Sequence, residues 1–214
     1  MNKVKIDIRG EKLTLLPEKG IFWEKESALL IADLHLGKIT HFRKHGVALP
    51  AGGVMNNWSR LAELIDEYQP KDVYFLGDLF HSDYNHEWTI FEELSTEFER
   101  TNFHLIAGNH DILPSFLYDK YQIKVYKEPL IVEPFIFSHH PLEEENEFYN
   151  LAGHIHPGVV MRGPGRQSIR LKCFYFSKSN GVLPSYGDFT GIYNMKVKED
   201  DQVYVITNDT VIKV

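Results

Sequence analysis

The chain has almost no cysteine. Cys173 stands alone among 214 residues, so no internal disulfide can form. A lone thiol suits a reducing compartment, and the cytoplasm is the expected location. Apolar runs long enough to cross a bilayer as a helix are also missing, so no membrane partner is expected. The opening stretch MNKVKIDIRGEKL alternates apolar and polar residues like a strand and lacks the apolar core of a signal peptide. No internal repeat, low-complexity linker or composition break marks a domain boundary. Residues 1–214 are therefore expected to form a single domain. Cationic excess is absent too: the net charge is −7, which on bulk electrostatics weighs against a nucleic-acid binder. The acidic run Glu143-Glu144-Glu145-Asn146-Glu147 reads as a solvated loop.

What the chain does have is a core and histidine. Apolar residues make up 43% and charged residues 25%, as expected of an α/β domain, and there are 11 histidines. Val4–Arg9 and Lys12–Leu15 read as a hairpin around Gly10. Ala28–Ala32 is a continuous apolar run, the mark of a strand buried on both faces. Gly52–Tyr68 carries Met55, Trp58, Ala62, Ile65 and Tyr68 at helical spacing and is stopped by Pro70. Val73–Leu76 and Phe103–Ala107 read as strands flanking a second helix over His86–Arg100, with a helical turn over Pro114–Tyr118. After Tyr121 the pattern becomes strand-like and mostly antiparallel, over Ile123–Tyr126, Leu130–Val132, Phe135–Ser138, Leu151–Gly153, Gly158–Met161, Ile169–Phe176 and Val203–Ile206. A βαβαβ half followed by a β-rich half predicts two packed sheets with helices outside.

Several of these strands end on chemistry. Ala28–Ala32 leads into Asp33-Leu34-His35, and a two-residue spacing on extended chain would point both side chains the same way. Val73–Leu76 leads into Gly77-Asp78, where glycine permits a sharp turn and the carboxylate has two oxygens with which to bridge two ions. Phe103–Ala107 leads into Gly108-Asn109-His110-Asp111. Asn109 can ligate only through its amide oxygen. His110 is left for acid chemistry, and Asp111 is expected to orient its imidazole. Phe135–Ser138 leads into His139-His140, and Leu151–Gly153 into His154-Ile155-His156. Mixed carboxylate, imidazole and amide donors suit Mn²⁺, Fe or Zn²⁺. Donors gathered from loops at the ends of successive strands match where sites lie in α/β folds.

Taken in order, Asp-x-His, Gly-Asp, Gly-Asn-His-Asp, His and Gly-His-x-His resemble the calcineurin-like metallophosphoesterase superfamily over nearly the whole chain. The resemblance implies a four-layer α/β/β/α sandwich of two mixed β-sheets flanked by helices. It also implies two divalent metal ions, Mn²⁺ foremost with Fe or Zn²⁺ as alternatives. One would be held by Asp33, His35 and His156, the other by Asn109, His139 and His154, with Asp78 between them. His110 and Asp111 would be the catalytic pair, and a hydroxide held between the ions would attack phosphorus in line. A narrower likeness is to the bacterial ligase-associated DNA-damage-response metallophosphoesterases. It rests on Ala32-Asp33-Leu34-His35-Leu36-Gly37-Lys38, on Phe42-Arg43, Gly46 and Pro50, on Leu76–Ser82, on Leu151–Pro157 and on Gly187-Asp188-Phe189-Thr190-Gly191. His140 and Tyr186 depart from that group's pattern.

This likeness implies a phosphodiesterase or endonuclease acting on DNA, as monomer or homodimer, in functional association with a DNA ligase and helicase. Lys38, Arg43 and His81 are candidate substrate contacts. Arg162, Arg166, Arg170 and Lys172, with Lys44, could make a phosphate track. Two other readings stay open: a small-molecule phosphodiesterase, nucleotidase or phosphoprotein phosphatase, and a scaffold that kept the fold without catalysis.

Overall fold

The computed structural model describes residues 2–36, 52–80, 87–127, 129–143, 147–188 and 190–214. Lys38, Arg43, Lys44 and His81 lie outside the described residues. Strands β1 (Val4–Ile8), β2 (Glu11–Leu15), β3 (Ile21–Trp23) and β4 (Ala28–Ile31) pair antiparallel in sequence order. From β4 the direction becomes uniform. β4, β5 (Asp72–Phe75), β6 (Asn102–Ile106) and β7 (Ile123–Tyr126) are parallel neighbours, completing a seven-stranded sheet. Helix α1 (Gly52–Tyr68) connects β4 to β5, α2 (Glu87–Glu97) connects β5 to β6, and α3 (Ser115–Lys120) connects β6 to β7. Parallel neighbours need such crossovers, which is why the helical periodicities of the sequence fall between these strands.

The second sheet comprises nine strands. They are β8 (Leu130–Val132), β9 (Phe135–Ser138), β10 (Tyr149–Ala152), β11 (Pro157–Arg162), β12 (Ser168–Phe176), β13 (Asn180–Val182), β14 (Tyr193–Asn194), β15 (Gln202–Ile206) and β16 (Val211–Lys213). The main path runs β14-β11-β12-β13-β10-β9-β8, with β15 and β16 branching from β12. The sheet is mixed: β9, β10 and β13 are parallel to one another, as are β11 and β14, and the remaining pairs are antiparallel. The expected strands and helices lie within three residues of their sequence assignments. The additional strands β3, β13, β14 and β16 have only two or three residues each, too few for a period to show.

The two sheets pack face to face. Leu13, Leu15, Trp23, Ala28, Leu30, Tyr74 and Leu76 of the first meet Phe135, Phe137, Leu151, Phe174, Phe176 and Tyr204 of the second. The Trp23 and Phe135 rings meet edge to face at 4.9 Å, and Tyr74 meets Phe137 at 5.0 Å. The other face of the first sheet, Leu29, Ile31, Val73, Phe75, Phe103 and Leu105, is covered by Trp58, Leu61 and Ile65 of α1, Trp88, Phe91 and Leu94 of α2, and Tyr118 of α3. β4 thus buries both faces, which explains its unbroken apolar run. The outer face of the second sheet has a smaller cluster of Val159, Cys173, Tyr175, Val182, Val203 and Val205. Ile155, Met161, Leu171 and Met195 pack on it, and among the described residues no α-helix covers it. The architecture is the expected sandwich of two mixed sheets, with the described helices flanking the first.

Candidate metal centre

The seven donor residues converge at one end of the sandwich. Asp33 and His35 follow β4, Asp78 follows β5 and Asn109 follows β6, all on the first sheet. His139 follows β9, and His154 and His156 follow β10, on the second. The strands within each set are parallel, so their C-terminal ends share one edge.

The route to convergence differs from the one the spacing implies. Asp-x-His and His-x-His predict extended backbone. Instead Asp33, His35, Asp78, His154 and His156 take positive φ of 53°, 51°, 51°, 65° and 53°. Left-handed backbone costs an L-residue about 1–2 kcal/mol, so it persists only where neighbours over-determine it. Here the β4–β5 ladder continues beyond the strands. Asp33 N–H donates to Gly77 O at 3.2 Å, His35 N–H to Asp78 O at 2.9 Å, and Leu36 N–H to Leu79 O at 2.9 Å. The two ligand turns therefore form as a pair.

His139 and Gly77 define one half of the site. His139 Nδ1–H donates to Leu76 O at 3.1 Å, an assignment made from the carbonyl it faces, which leaves a lone pair on Nε2. That nitrogen lies 2.9 Å from Asn109 Oδ1, 3.0 Å from His154 Nδ1 and 3.6 Å from Asp78 Oδ1. Gly77, at φ 82°, makes this possible, because a Cβ there would fall 2.1 Å from His139 Nδ1.

The other half gathers around His35. Its Nε2 lies 3.4 Å from His156 Nε2 and 3.8 Å from Asp78 Oδ2. His156 Nε2 is in turn 3.4 Å from Asp33 Oδ1. Asp33 is fully buried; its Oδ2 accepts the His154 N–H at 2.9 Å, while its Oδ1 accepts no hydrogen bond among the described residues. A buried carboxylate oxygen without a donor is costly unless a cation faces it. Lone pairs aimed at one another need the same remedy. The donor set therefore fits divalent cations, with Asp33, His35 and His156 as one compact group and Asp33, Asp78 and His139 as another. Asp78 faces both halves, Oδ2 towards His35 and Oδ1 towards His139.

His110 reaches the same place by its backbone, donating N–H to Asp78 Oδ1 at 3.0 Å. Its ring stands edge to face with that of His35 at 5.7 Å. Asp111 does something the sequence reading did not foresee. Its Oδ2 accepts from Asp78 N–H at 2.7 Å and Gly108 N–H at 2.9 Å, and its Oδ1 from Phe80 N–H at 3.2 Å. The carboxylate clamps the Asp78 turn onto the Asn109 turn, a role read only from the folded backbone. Burial pushes its pKa up to about 7, against the downward pull of those amides.

On the sequence either His139 or His140 could ligate, with His139 nearer the strand end and His140 a departure from the family pattern. His140 lies close enough to serve as a further donor: it groups with His139 and His154, and its ring lies 3.8 Å from that of His154. Burial, with neighbouring imidazoles, holds both His140 and His154 below the ordinary 6.5. Of the basic residues considered for a phosphate track, Arg162, Arg166 and Arg170 are exposed. Lys172 turns inward and spends its ammonium on Ser185 O, Gly187 O and Thr190 Oγ1 at 2.7–2.8 Å.

The calcineurin-like phosphoesterase family model matches residues 27–201. Among solved structures, the chain is similar to the Pseudomonas putida nuclease MPE, with 30% identity and a TM-score of 0.83 over 100% of both chains. It also matches Yfce, a phosphoesterase from E. coli, at 13% identity and a TM-score of 0.45, covering 87% of this chain and 97% of that one. A search of curated proteins found no match. The matched span contains every donor position described above, and the chain belongs to the calcineurin-like phosphoesterase family, the metal-dependent phosphoesterases.

Proposed function

We propose that this chain, as one catalytic domain over residues 1–214, is a two-metal phosphodiesterase acting on nucleic acid, DNA foremost. The observation that carries the reading is Asp78, whose two carboxylate oxygens face two separate donor groups. Asp33, His35 and His156 would hold one cation; Asn109, His139 and His154 the other; Asp78 would serve both. When bound, such cations supply Lewis acidity and lower the pKa of a ligating water towards about 7. Mn²⁺ is the first choice, with Fe or Zn²⁺ compatible with the same donors.

The chain's own residues do the rest. His139 presents Nε2 because Leu76 O holds its other nitrogen. His110, tied to Asp78 through its backbone, holds a proton for the leaving oxygen. Asp111 keeps the Asp78 and Asn109 turns in register. Lys38, Arg43 and His81 are assigned to the substrate phosphates, a task suited to charged donors. Similarity to the P. putida nuclease across the full length of both chains favours nucleic acid as the substrate class. Functional association with a DNA ligase and helicase, a cytoplasmic setting and a monomer or homodimer complete the proposal.

A metal-by-substrate matrix tests it. Mn²⁺, Fe²⁺ and Zn²⁺ are each combined with bis(p-nitrophenyl) phosphate, p-nitrophenyl phosphate, single-stranded DNA and supercoiled plasmid. The expected result is metal-dependent hydrolysis of the diester in preference to the monoester, with cleavage of DNA. Preference for the monoester with intact DNA would replace this reading with that of a small-molecule or phosphoprotein phosphatase.

A further inference from the structure

Behind the Asp33 turn lies a segment that the proposed chemistry does not use. Tyr186 N–H donates to Ala32 O at 2.8 Å, and Gly187 N–H donates to Asp33 O at 3.2 Å. The segment lies so close that a Cβ on Gly187 would sit 2.7 Å from Leu34 O. Its Tyr186 and Gly187 amides therefore face the first ligand turn, while the Ser185, Tyr186 and Gly187 carbonyls each accept from a basic side chain. Lys172 Nζ donates to Ser185 O at 2.8 Å and Gly187 O at 2.7 Å. Arg60 Nη2 donates to Tyr186 O at 2.7 Å, with the guanidinium 4.3 Å over the Tyr186 ring. Lys19 Nζ lies 3.3 Å from the same carbonyl, and Lys19 and Arg60 both bind Asp188 Oδ1, at 2.7 and 3.2 Å. Ser185 and Tyr186 are fully buried.

Two consecutive peptides, 185–186 and 186–187, thus offer their N–H to the Ala32–Asp33 turn and their C=O to a basic side chain. Polarising a peptide at its oxygen strengthens its N–H as a donor. Burial, and next the Lys19 charge, lower the Lys172 amine to about 6. The three oxygens around Nζ match all three ammonium hydrogens and offset that cost. The 590 Å³ pocket beside these cations is no phosphate cradle: Lys19, Arg60 and Lys172 turn donors onto the loop, and Glu18 and Glu63 also line it.

We propose that Lys172 and Arg60 are positioning residues for Asp33, acting through the Ser185–Asp188 segment, and so tune the cation group of Asp33, His35 and His156. The inference rests on the two-metal reading above. Residues that orient metal ligands from behind typically change affinity by about 10–100-fold when lost. Asn109, His139 and His154 have no hydrogen bond to this segment among the described contacts and meet Asp33 through the His154 N–H and the shared Asp78 group, so the group of Asp33, His35 and His156 should respond more strongly.

The experiment is Mn²⁺ titration by calorimetry and electron paramagnetic resonance on wild type, Lys172→Met and Arg60→Gln. Lys12→Met, which loses only an exposed ion pair with Asp7, is the control. Wild type should bind two Mn²⁺, and failure there sinks the two-metal reading itself. Lys172→Met should lose about 10–100-fold in affinity at one of the two sites, keep the other, and recover activity at high Mn²⁺ with KM for the diester unchanged. Arg60→Gln should show the same selective loss to a smaller degree, and it decides the matter if Lys172→Met does not fold. Two unchanged affinities in a folded variant would overturn the inference, and so would equal weakening of both, which marks a general structural defect.

Discussion

Gly77→Ala tests the geometry of the centre without touching a ligand. Gly77 and Gly10 have nearly the same backbone, φ 82° and 81°, but a Cβ on Gly10 would meet nothing within 4 Å. Alanine at either position therefore adds left-handed strain of about 1–2 kcal/mol. At Gly77 the new methyl also falls 2.1, 2.5 and 2.8 Å from His139 Nδ1, Cγ and Cβ. Since Cβ contacts essentially never close below 3.0 Å, the ring must retreat by about 0.9 Å. That retreat strips the Nδ1–H bond to Leu76 O, about 0.5–1.5 kcal/mol, and overpacks the sheet junction, about 1–3 kcal/mol. Gly77→Ala should thus cost about 3–6 kcal/mol against about 1–2 for Gly10→Ala. For a chain of this size the gap corresponds to a melting midpoint lower by about 4–16 °C. The assay is thermal unfolding of both variants in chelator, followed by metal analysis of the folded material. Gly77→Ala should retain the cation group of Asp33, His35 and His156 and lose the one that His139 serves. Equal midpoints for the two variants, or full metal content in Gly77→Ala, would refute the contact argument.

Other predictions follow from the same contacts. Asp78→Asn, which removes the charge facing both donor groups, should abolish cooperative uptake of two ions, measured by Mn²⁺ titration. His110→Ala should keep full metal content and lose about 10²–10⁴-fold in kcat on bis(p-nitrophenyl) phosphate. Asp111→Ala leaves three backbone N–H groups without their carboxylate and should destabilise the metal-free protein by about 2–4 kcal/mol in urea. If Asp111 served chiefly to orient His110, stability would be unchanged and only kcat would fall. The pH dependence has a definite sign. Burial holds His154 and His140 below 6.5 in the fold, so the unfolded chain binds more protons as pH falls through 6.5. Metal-free stability should therefore be present above that pH and decline below it, as denaturation midpoints across pH 5–8 can show.

Much of the site could be read before folding, and the reason is local. Each donor lies within a few residues of an apolar run that could only be a strand, as at Leu29–Ile31 before Asp33 and Phe135–Phe137 before His139. Chain order then placed the donors on one edge. What could not be read depends on contacts made at a distance. The left-handed backbone of Asp33, His35 and Asp78 follows from turns that lock each other, and no residue type in those motifs demands it. Adjacency makes Asp111 a candidate imidazole partner, but only the fold shows its carboxylate accepting from the amides of Asp78 and Phe80, some thirty residues earlier. Lys172 reads as part of a basic track because it follows the last donor pair together with Arg162, Arg166 and Arg170; only the fold brings Ser185 and Gly187 over it. The short strands β13 and β14 borrow their conformation from β10 and β11 beside them, having too few residues to declare it.

The centre also lies across a seam. Asp33, His35, Asp78 and Asn109 belong to the first sheet, and His139, His154 and His156 to the second, so each cation group draws donors from both. An ion in either group would act as a rivet between two sheets that also meet through an apolar core and a few hydrogen bonds near the site. Parting the sheets at that end then requires release of the metal. Thermal stability should rise with the logarithm of free metal, in the manner of any ligand confined to the folded state. Hydrogen exchange at the C-terminal ends of β4, β5, β9 and β10 should slow together when metal is added, while the distant hairpin of β1 and β2 is left as it was.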